Sequence, residues 1–212
     1  MKASNVLLGV ISIALVFAAL FGVYLMTDTT PSSAIFIPGI KGKAGGYSVE
    51  VPQNLTEKQM RLLTMAYDIA KRDGHKYPQI LQGILLQETK AGEMKSYKVA
   101  GHEFGLGVNQ RYYGPCQIKL AAAKDVLQEY SSMFKEFSFH TNTDEEIIAN
   151  LMLNEKFAIS VASKYLLILQ KRYNIPEHQL AAAYNQGAGG FTNSNGQRYA
   201  AAVRQFAEKM KK

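Results

Sequence analysis

The sequence predicts a mainly α-helical domain preceded by one N-terminal transmembrane helix, on three observations. Apolar residues recur at three- and four-residue spacing through most of the chain after Thr56. Alternation of apolar and polar residues, the mark of a half-buried strand, is almost absent. Residues 6–26, VLLGVISIALVFAALFGVYLM, hold no charge, matching the ~20 apolar residues that a helix needs to cross a bilayer.

Composition divides the chain into residues 1–27, an anchor or signal, residues 28–54, a linker, and residues 55–212, the helical domain. Lys2 supplies the short positive start of an export signal, so cleavage after export competes with an uncleaved anchor. A signal's apolar core is typically ~7–15 residues, shorter than residues 6–26, which favours the anchor. Lys2 before the span and Asp28 after it orient the amino terminus to the cytoplasm and everything past Thr27 to the outer side. Within the linker, GIKGKAGG lacks both the Ser or Thr after Lys and the flanking strand and helix of a phosphate loop.

Cys116 is the only cysteine, so no intramolecular disulfide is possible even in an oxidising compartment, and core packing must hold the domain. A cysteine isolated in this way reads as a small buried hydrophobe. The net charge of +7 suits an anionic partner, either lipid headgroups or an acidic polymer. Lys and Arg are spread along the chain without a nucleic-acid motif, so nucleic acid is not expected as a partner. His75, His102, His140 and His178 are too dispersed for a metal site, and no metal or organic cofactor is expected.

The helices follow in order. Thr56 to Gln59, TEKQ, forms a capping box, and Met60, Leu63, Tyr67 and Ala70 continue an apolar stripe that Gly74 stops. Pro78 opens the next helix. Thr143 to Glu146, TDEE, is a second capping box, heading a pattern that runs to about Tyr173 with a break near Asn154. PEHQLAAAYNQG starts at Pro176 and ends at Gly187, and QRYAAAVRQFAEKM is the last helix. Residues 90–113 keep neither period. A loop of that length inside a helical domain is usually functional or disordered, and it is expected to wall or cover a cleft.

The helix opened by Pro78 carries the candidate catalytic residue. Leu81, Ile84, Leu85 and Glu88 fall at i, i+3, i+4 and i+7, one stripe, and three of the four belong in a dry core. A charged carboxylate buried without a partner costs several kcal/mol, so Glu88 must be paired, neutralised or open to a cleft. A Glu at such a position is otherwise a helix-end residue reaching water or a basic partner.

Three stretches stand in a telling order: Glu88-Thr89 at a helix end, YGPCQIK from Tyr113, and AAYNQG from Ala182. Together they resemble the lytic transglycosylases of the goose-lysozyme-like superfamily, over roughly residues 56–206. Glu88 matches the catalytic Glu, with Thr89 for the following Ser. Gly114, Gln117 and Ile118 match the Gly-Leu-Met-Gln-Ile motif, with Pro115 and Cys116 replacing its central pair. Tyr184, Asn185 and Gly187 match Ala-Tyr-Asn-x-Gly, and Tyr199 fits a late Tyr. The segment between Glu88 and Gly114 is longer than in typical members.

The resemblance implies a lysozyme-like helical fold that cleaves the MurNAc-GlcNAc β-1,4 linkage of peptidoglycan and leaves 1,6-anhydro-MurNAc ends. Glu88 would act as acid and then as base. Substrate-binding roles fall to Thr89, Gln117, Tyr184, Asn185 and Tyr199, with Tyr184 expected to hydrogen-bond Glu88. Glycan strands are the implied partner, reached from the outer, periplasmic face of an inner membrane held through residues 6–26; a secreted or virion-associated form is the alternative. Two other functions stay open. Glu93 or Glu103 could serve as the base of a goose-type lysozyme hydrolase, and the fold could hold peptidoglycan without cutting it, as a scaffold in an envelope-spanning machine.

Overall fold

The computed structural model describes residues 54–94, 99–100, 107–140 and 142–210. The chain divides into two units, Met1–Lys43 and Ala44–Lys212, and every described residue lies in the second. The span expected at residues 6–26 and nearly all of the linker lie outside the described residues. Among the described residues, no helix is long and apolar enough to cross a membrane.

The domain is mainly α-helical. Its helices are α1 (Glu57–Arg72), α2 (Gln79–Thr89), α3 (Leu120–Glu129), α4 (Ser132–Glu136), α5 (Asp144–Leu153), α6 (Glu155–Arg172), α7 (Leu180–Gln186) and α8 (Ser194–Lys209). The capping box that begins α1 is complete: the Thr56 hydroxyl accepts from the Gln59 amide and the Gln59 side chain accepts from the Thr56 amide. At the head of α5 only half of the expected box forms as read. Thr143 accepts from the Glu146 amide, while the Glu146 carboxylate turns back to the amides of His140 and Asn142. The break near Asn154 is real and useful, because the Asn154 side chain caps α6 through the Phe157 amide.

Three expectations need correction. The buried face of α1 is Leu62, Leu63, Ala66, Ile69 and Ala70, and Met60 is 50% exposed. The helix packs against both α2 and α6, so its apolar stripe is centred on Leu62 and Ala66 instead of Met60 and Tyr67. The segment after Pro176 begins as a 3-10 turn, Glu177–Gln179, before α7. The last helix starts earlier than Gln197, at Ser194, because Asn193 caps it through the Gly196 amide.

The described residues of the 90–113 segment include regular structure. They contribute strands β1 (Val99–Ala100) and β2 (Tyr112–Tyr113), which join β3 (Ile118–Lys119) in an antiparallel sheet ordered β1-β2-β3. Val99 pairs with Tyr113, and Tyr113 with Ile118. Tyr113 and Ile118 face the core while Tyr112 and Lys119 face solvent. Two-residue strands are too short to show a period in sequence.

Helix α6 is the core of the bundle. Phe157 to Ser163 are all buried, as are Leu166 to Leu169, so the helix is enclosed nearly all round. Its carboxyl half is tied to the end of α1 by Asp73, which accepts from the Ser163 hydroxyl at 2.7 Å and the Lys164 ammonium at 2.9 Å. His75 Nε2 lies 3.0 Å from the Ser163 carbonyl, and burial holds its pKa below the ordinary value. His75 is thus a structural residue.

Helix α2 packs on α8, and a glycine lets their backbones approach. A Cβ on Gly83 would lie 2.5 Å from the Val203 carbonyl oxygen. Gly to Ala inside a helix ordinarily stabilises by about 1 kcal/mol through propensity. Here the sign should reverse: Gly83→Ala is expected to cost roughly 2 kcal/mol, the usual scale of overpacking, read as a lower urea midpoint.

Candidate active site

Glu88 is the penultimate residue of α2. Leu81, Ile84 and Leu85 on its stripe are almost wholly buried, and they hold the helix so that the stripe's last member emerges at a partly exposed position. The Tyr199 hydroxyl of α8 donates to Glu88 Oε1 at 2.6 Å, the length of a charge-assisted O–H···O⁻ bond. Burial pushes the Glu88 pKa up to about 7, against the Tyr199 hydrogen bond, which pulls it down. The carboxyl end of a helix also carries partial negative charge and disfavours a carboxylate. Around neutral pH Glu88 therefore exists as both acid and base, the property a proton-transfer group requires.

Beside Glu88 lies the turn Gly114–Gln117. Three successive carbonyls of this turn are each held by a side chain. Gln117 Nε2 donates to the Gly114 oxygen at 2.9 Å, Thr89 Oγ1 to the Pro115 oxygen at 2.8 Å, and the Tyr184 hydroxyl to the Cys116 oxygen at 2.7 Å. Gly114 has φ +72 and Gln117 φ +49, so two left-handed residues make the chain reverse tightly. Cys116 is fully buried. Its thiol and the Tyr184 and Tyr199 hydroxyls are all pushed well above their ordinary pKa values, first by burial and also by the charge of Glu88. The three motifs thus converge on one carboxylate from α2, the turn, α7 and α8.

Individual roles differ from the expectation. Tyr184 was expected to hold Glu88; its hydroxyl goes instead to the Cys116 carbonyl, and its ring packs edge-on against Tyr165. Tyr199 takes the Glu88 role, because the α2–α8 approach puts it there. Thr89 is 1% exposed and bonds Pro115 and the Gly92 amide, so it builds the site without reaching substrate. Gln117 is partly exposed on the turn. Asn185 is exposed at the end of α7 and pairs with the Gln186 side chain. Pro115 and Cys116 are the buried centre of the turn, where the replaced pair of the motif serves packing.

Glu93, offered as a hydrolase base, accepts from the Thr56 hydroxyl at 2.8 Å at the start of α1. Glu103 and His102 lie outside the described residues. Among the described residues no group of His, Cys, Asp and Glu is placed to hold a metal ion. Two determinants escaped sequence reading. Gly83 looks like an ordinary helix glycine, and nothing in Lys90 or Ala91 signals that both adopt positive φ.

Tyr199→Phe provides a direct test of the contact. Removing the hydroxyl removes the interaction that lowers the Glu88 pKa, so the pH-rate profile should move to higher pH. Turnover should fall about 10- to 100-fold from loss of a positioned group, with little change in melting temperature. An unshifted profile would show that Tyr199 does not act on Glu88.

No family model, curated protein or solved structure matches this chain, and the resemblance rests on the motifs alone.

Proposed function

We propose that the chain is a peptidoglycan lytic transglycosylase with a lysozyme-like helical domain, working on the outer side of a membrane to which residues 6–26 anchor it. The observation that carries this reading is Glu88: partly open, titrating near neutrality, and fixed by Tyr199 at 2.6 Å. With Oε1 held by Tyr199, the other oxygen carries the transferable proton.

The reaction follows from one carboxyl group. Glu88 protonates the glycosidic oxygen of GlcNAc as the bond to MurNAc C1 breaks. The resulting carboxylate removes the proton from the MurNAc 6-hydroxyl, and O6 closes onto C1. Glu88 ends protonated, the product carries an anhydro ring, and no water is consumed. Two-carboxylate glycosidases need a second acid at a defined distance.

The test is to incubate the purified full chain with peptidoglycan and read released muropeptides by mass spectrometry. Anhydro ends, lighter by one water than reducing ends, are expected. Reducing ends would replace this reading with a hydrolase using Glu93 or Glu103, and binding without release would replace it with a scaffold.

A further inference from the structure

Immediately after Glu88-Thr89 the backbone does something costly. Lys90, Ala91 and Gly92 have φ of +49, +52 and +84, three left-handed residues in a row, and only the last is glycine. Left-handed conformation is unfavourable for a residue with a Cβ, and such strain persists only where surrounding contacts over-determine it. Ala91 is completely buried, so the turn has no room to relax in place.

The contacts that hold it come from the amino end of α1. Gln59 Nε2 donates to the Lys90 carbonyl at 2.8 Å, and Lys58 Nζ donates to the Gly92 carbonyl at 2.6 Å. Gln59 is 4% exposed, and its amide is used at both ends: Oε1 accepts from the Thr56 amide, completing the helix cap, while Nε2 reaches the turn. On the other side, Thr89 Oγ1 accepts from the Gly92 amide and donates to the Pro115 carbonyl. The same turn therefore links α1, the end of α2 and the wall that faces Glu88. Leu62 of α1 closes the remaining space, since a Cβ on Gly92 would lie 2.9 Å from its Cδ1.

We propose that Gln59, seconded by Lys58, is a positioning residue for Glu88: the amino end of α1 clamps the left-handed turn and thereby sets the last turn of α2. Helix ends fray unless their final carbonyls and amides are satisfied. Here the Lys90 and Ala91 amides close onto the Leu86 and Leu85 carbonyls only while the turn stays left-handed. Released, Lys90 and Ala91 would move to ordinary φ, the last turn would open, and Glu88 would gain water and lose its fixed distance to Tyr199. The groups facing Glu88 are Tyr199 from α8, Tyr184 from α7 and Cys116 from the turn; none belongs to α1, so Gln59 acts through backbone geometry. This inference rests on Glu88 being the catalytic acid.

Three variants of the full chain separate clamp from cap. Gln59→Met removes the bond to Lys90 and half of the cap. Lys58→Met removes the bond to Gly92 and leaves the cap and the Gln59 bond intact. Thr56→Ala removes the cap hydroxyl together with its bond to Glu93, beyond the turn, and leaves the Gln59 bond to Lys90 in place. The readouts are kcat and KM at pH 7, together with the Glu88 pKa, obtained from the pH dependence of stability of each variant with and without Glu88→Gln. Gln59→Met is expected to lower kcat roughly tenfold, a usual consequence of misplacing a catalytic group, with KM unchanged and the Glu88 pKa falling towards the ordinary Glu range. Lys58→Met should move both in the same direction by less, and Thr56→Ala should lower stability alone.

If Gln59→Met matches Thr56→Ala in kcat and in Glu88 pKa, Gln59 is merely structural and the proposal is overturned. If Gln59→Met does not fold, the sense of the Lys58→Met shift decides. Should the native chain cleave no peptidoglycan, the catalytic reading fails, while the Glu88 pKa still reports on the clamp.

Discussion

Replacing Glu88 with Gln is expected to abolish release of anhydro-muropeptides and, at the same time, to make the protein more stable above neutral pH. Loss of a positioned general acid costs on the order of 10²–10⁴ in rate, and Gln offers no proton with which to begin. The stability gain follows from the raised pKa. Well below the ordinary Glu range both folded and unfolded chains are protonated at Glu88, and the site is neutral in each. As pH rises, the unfolded chain ionises first, while the folded chain holds its proton until about 7. Across that window the folded state binds more protons, so stability falls as pH increases. Above it the folded protein bears a charge that burial opposes.

Gln cannot ionise and can still accept the Tyr199 hydrogen bond, so the variant escapes that loss. A shift of this size, at about 1.4 kcal/mol per pKa unit and reduced because Glu88 is partly exposed, corresponds to a gain of about 2 kcal/mol. Urea unfolding of both proteins at pH 4 and pH 8 should show equal midpoints at the lower pH and a higher midpoint for Glu88→Gln at the upper. Equal midpoints at both would mean that the folded state does not hold Glu88 against ionisation. Cleavage retained by the variant would remove Glu88 from the reaction.

That tension between site and stability is also what made the site legible. Leu81, Ile84 and Leu85 predict burial, Glu88 continues their stripe, and a violation of local consistency of this kind tends to mark function. Helix starts at Thr56 and Thr143 were readable because capping is a contact between residues three apart. The contacts that complete the site are long-range. Tyr199 reaches Glu88 across 111 positions and Tyr184 reaches Cys116 across 68, and no local pattern says which tyrosine meets the carboxylate. The packing of α2 on α8 decides it, through the missing side chain of Gly83. The strained turn at Lys90 and Ala91 is equally silent, since neither residue type favours positive φ and the cause lies on α1.

The second large effect is expected from Gly114→Ala. Two independent penalties meet at this position. The φ of +72 is unfavourable for any residue with a Cβ, and that Cβ would lie 2.1 Å from the Leu151 carbonyl oxygen and 3.1 Å from its carbon. The obstacle is backbone of α5, itself packed on α6, so it cannot swing aside as a flexible side chain would. Alanine should therefore cost roughly 3 kcal/mol or more, combining left-handed strain with overpacking. The damage should not stay local. Moving the turn off α5 displaces the Pro115 and Cys116 carbonyls from Thr89 and Tyr184, and the wall facing Glu88 moves with them. The expected result is a protein with a much lower melting temperature and, where still folded in the cold, little activity and a Glu88 pKa closer to the ordinary range as water reaches the carboxylate. One comparison sharpens the outcome. Gly74→Ala also replaces a glycine of positive φ, but no atom lies within 4 Å of its added Cβ, so it isolates the strain penalty, expected at about 1 kcal/mol. If Gly114→Ala proves no worse than Gly74→Ala, the turn has room to shift and the close approach to Leu151 does not hold it in place.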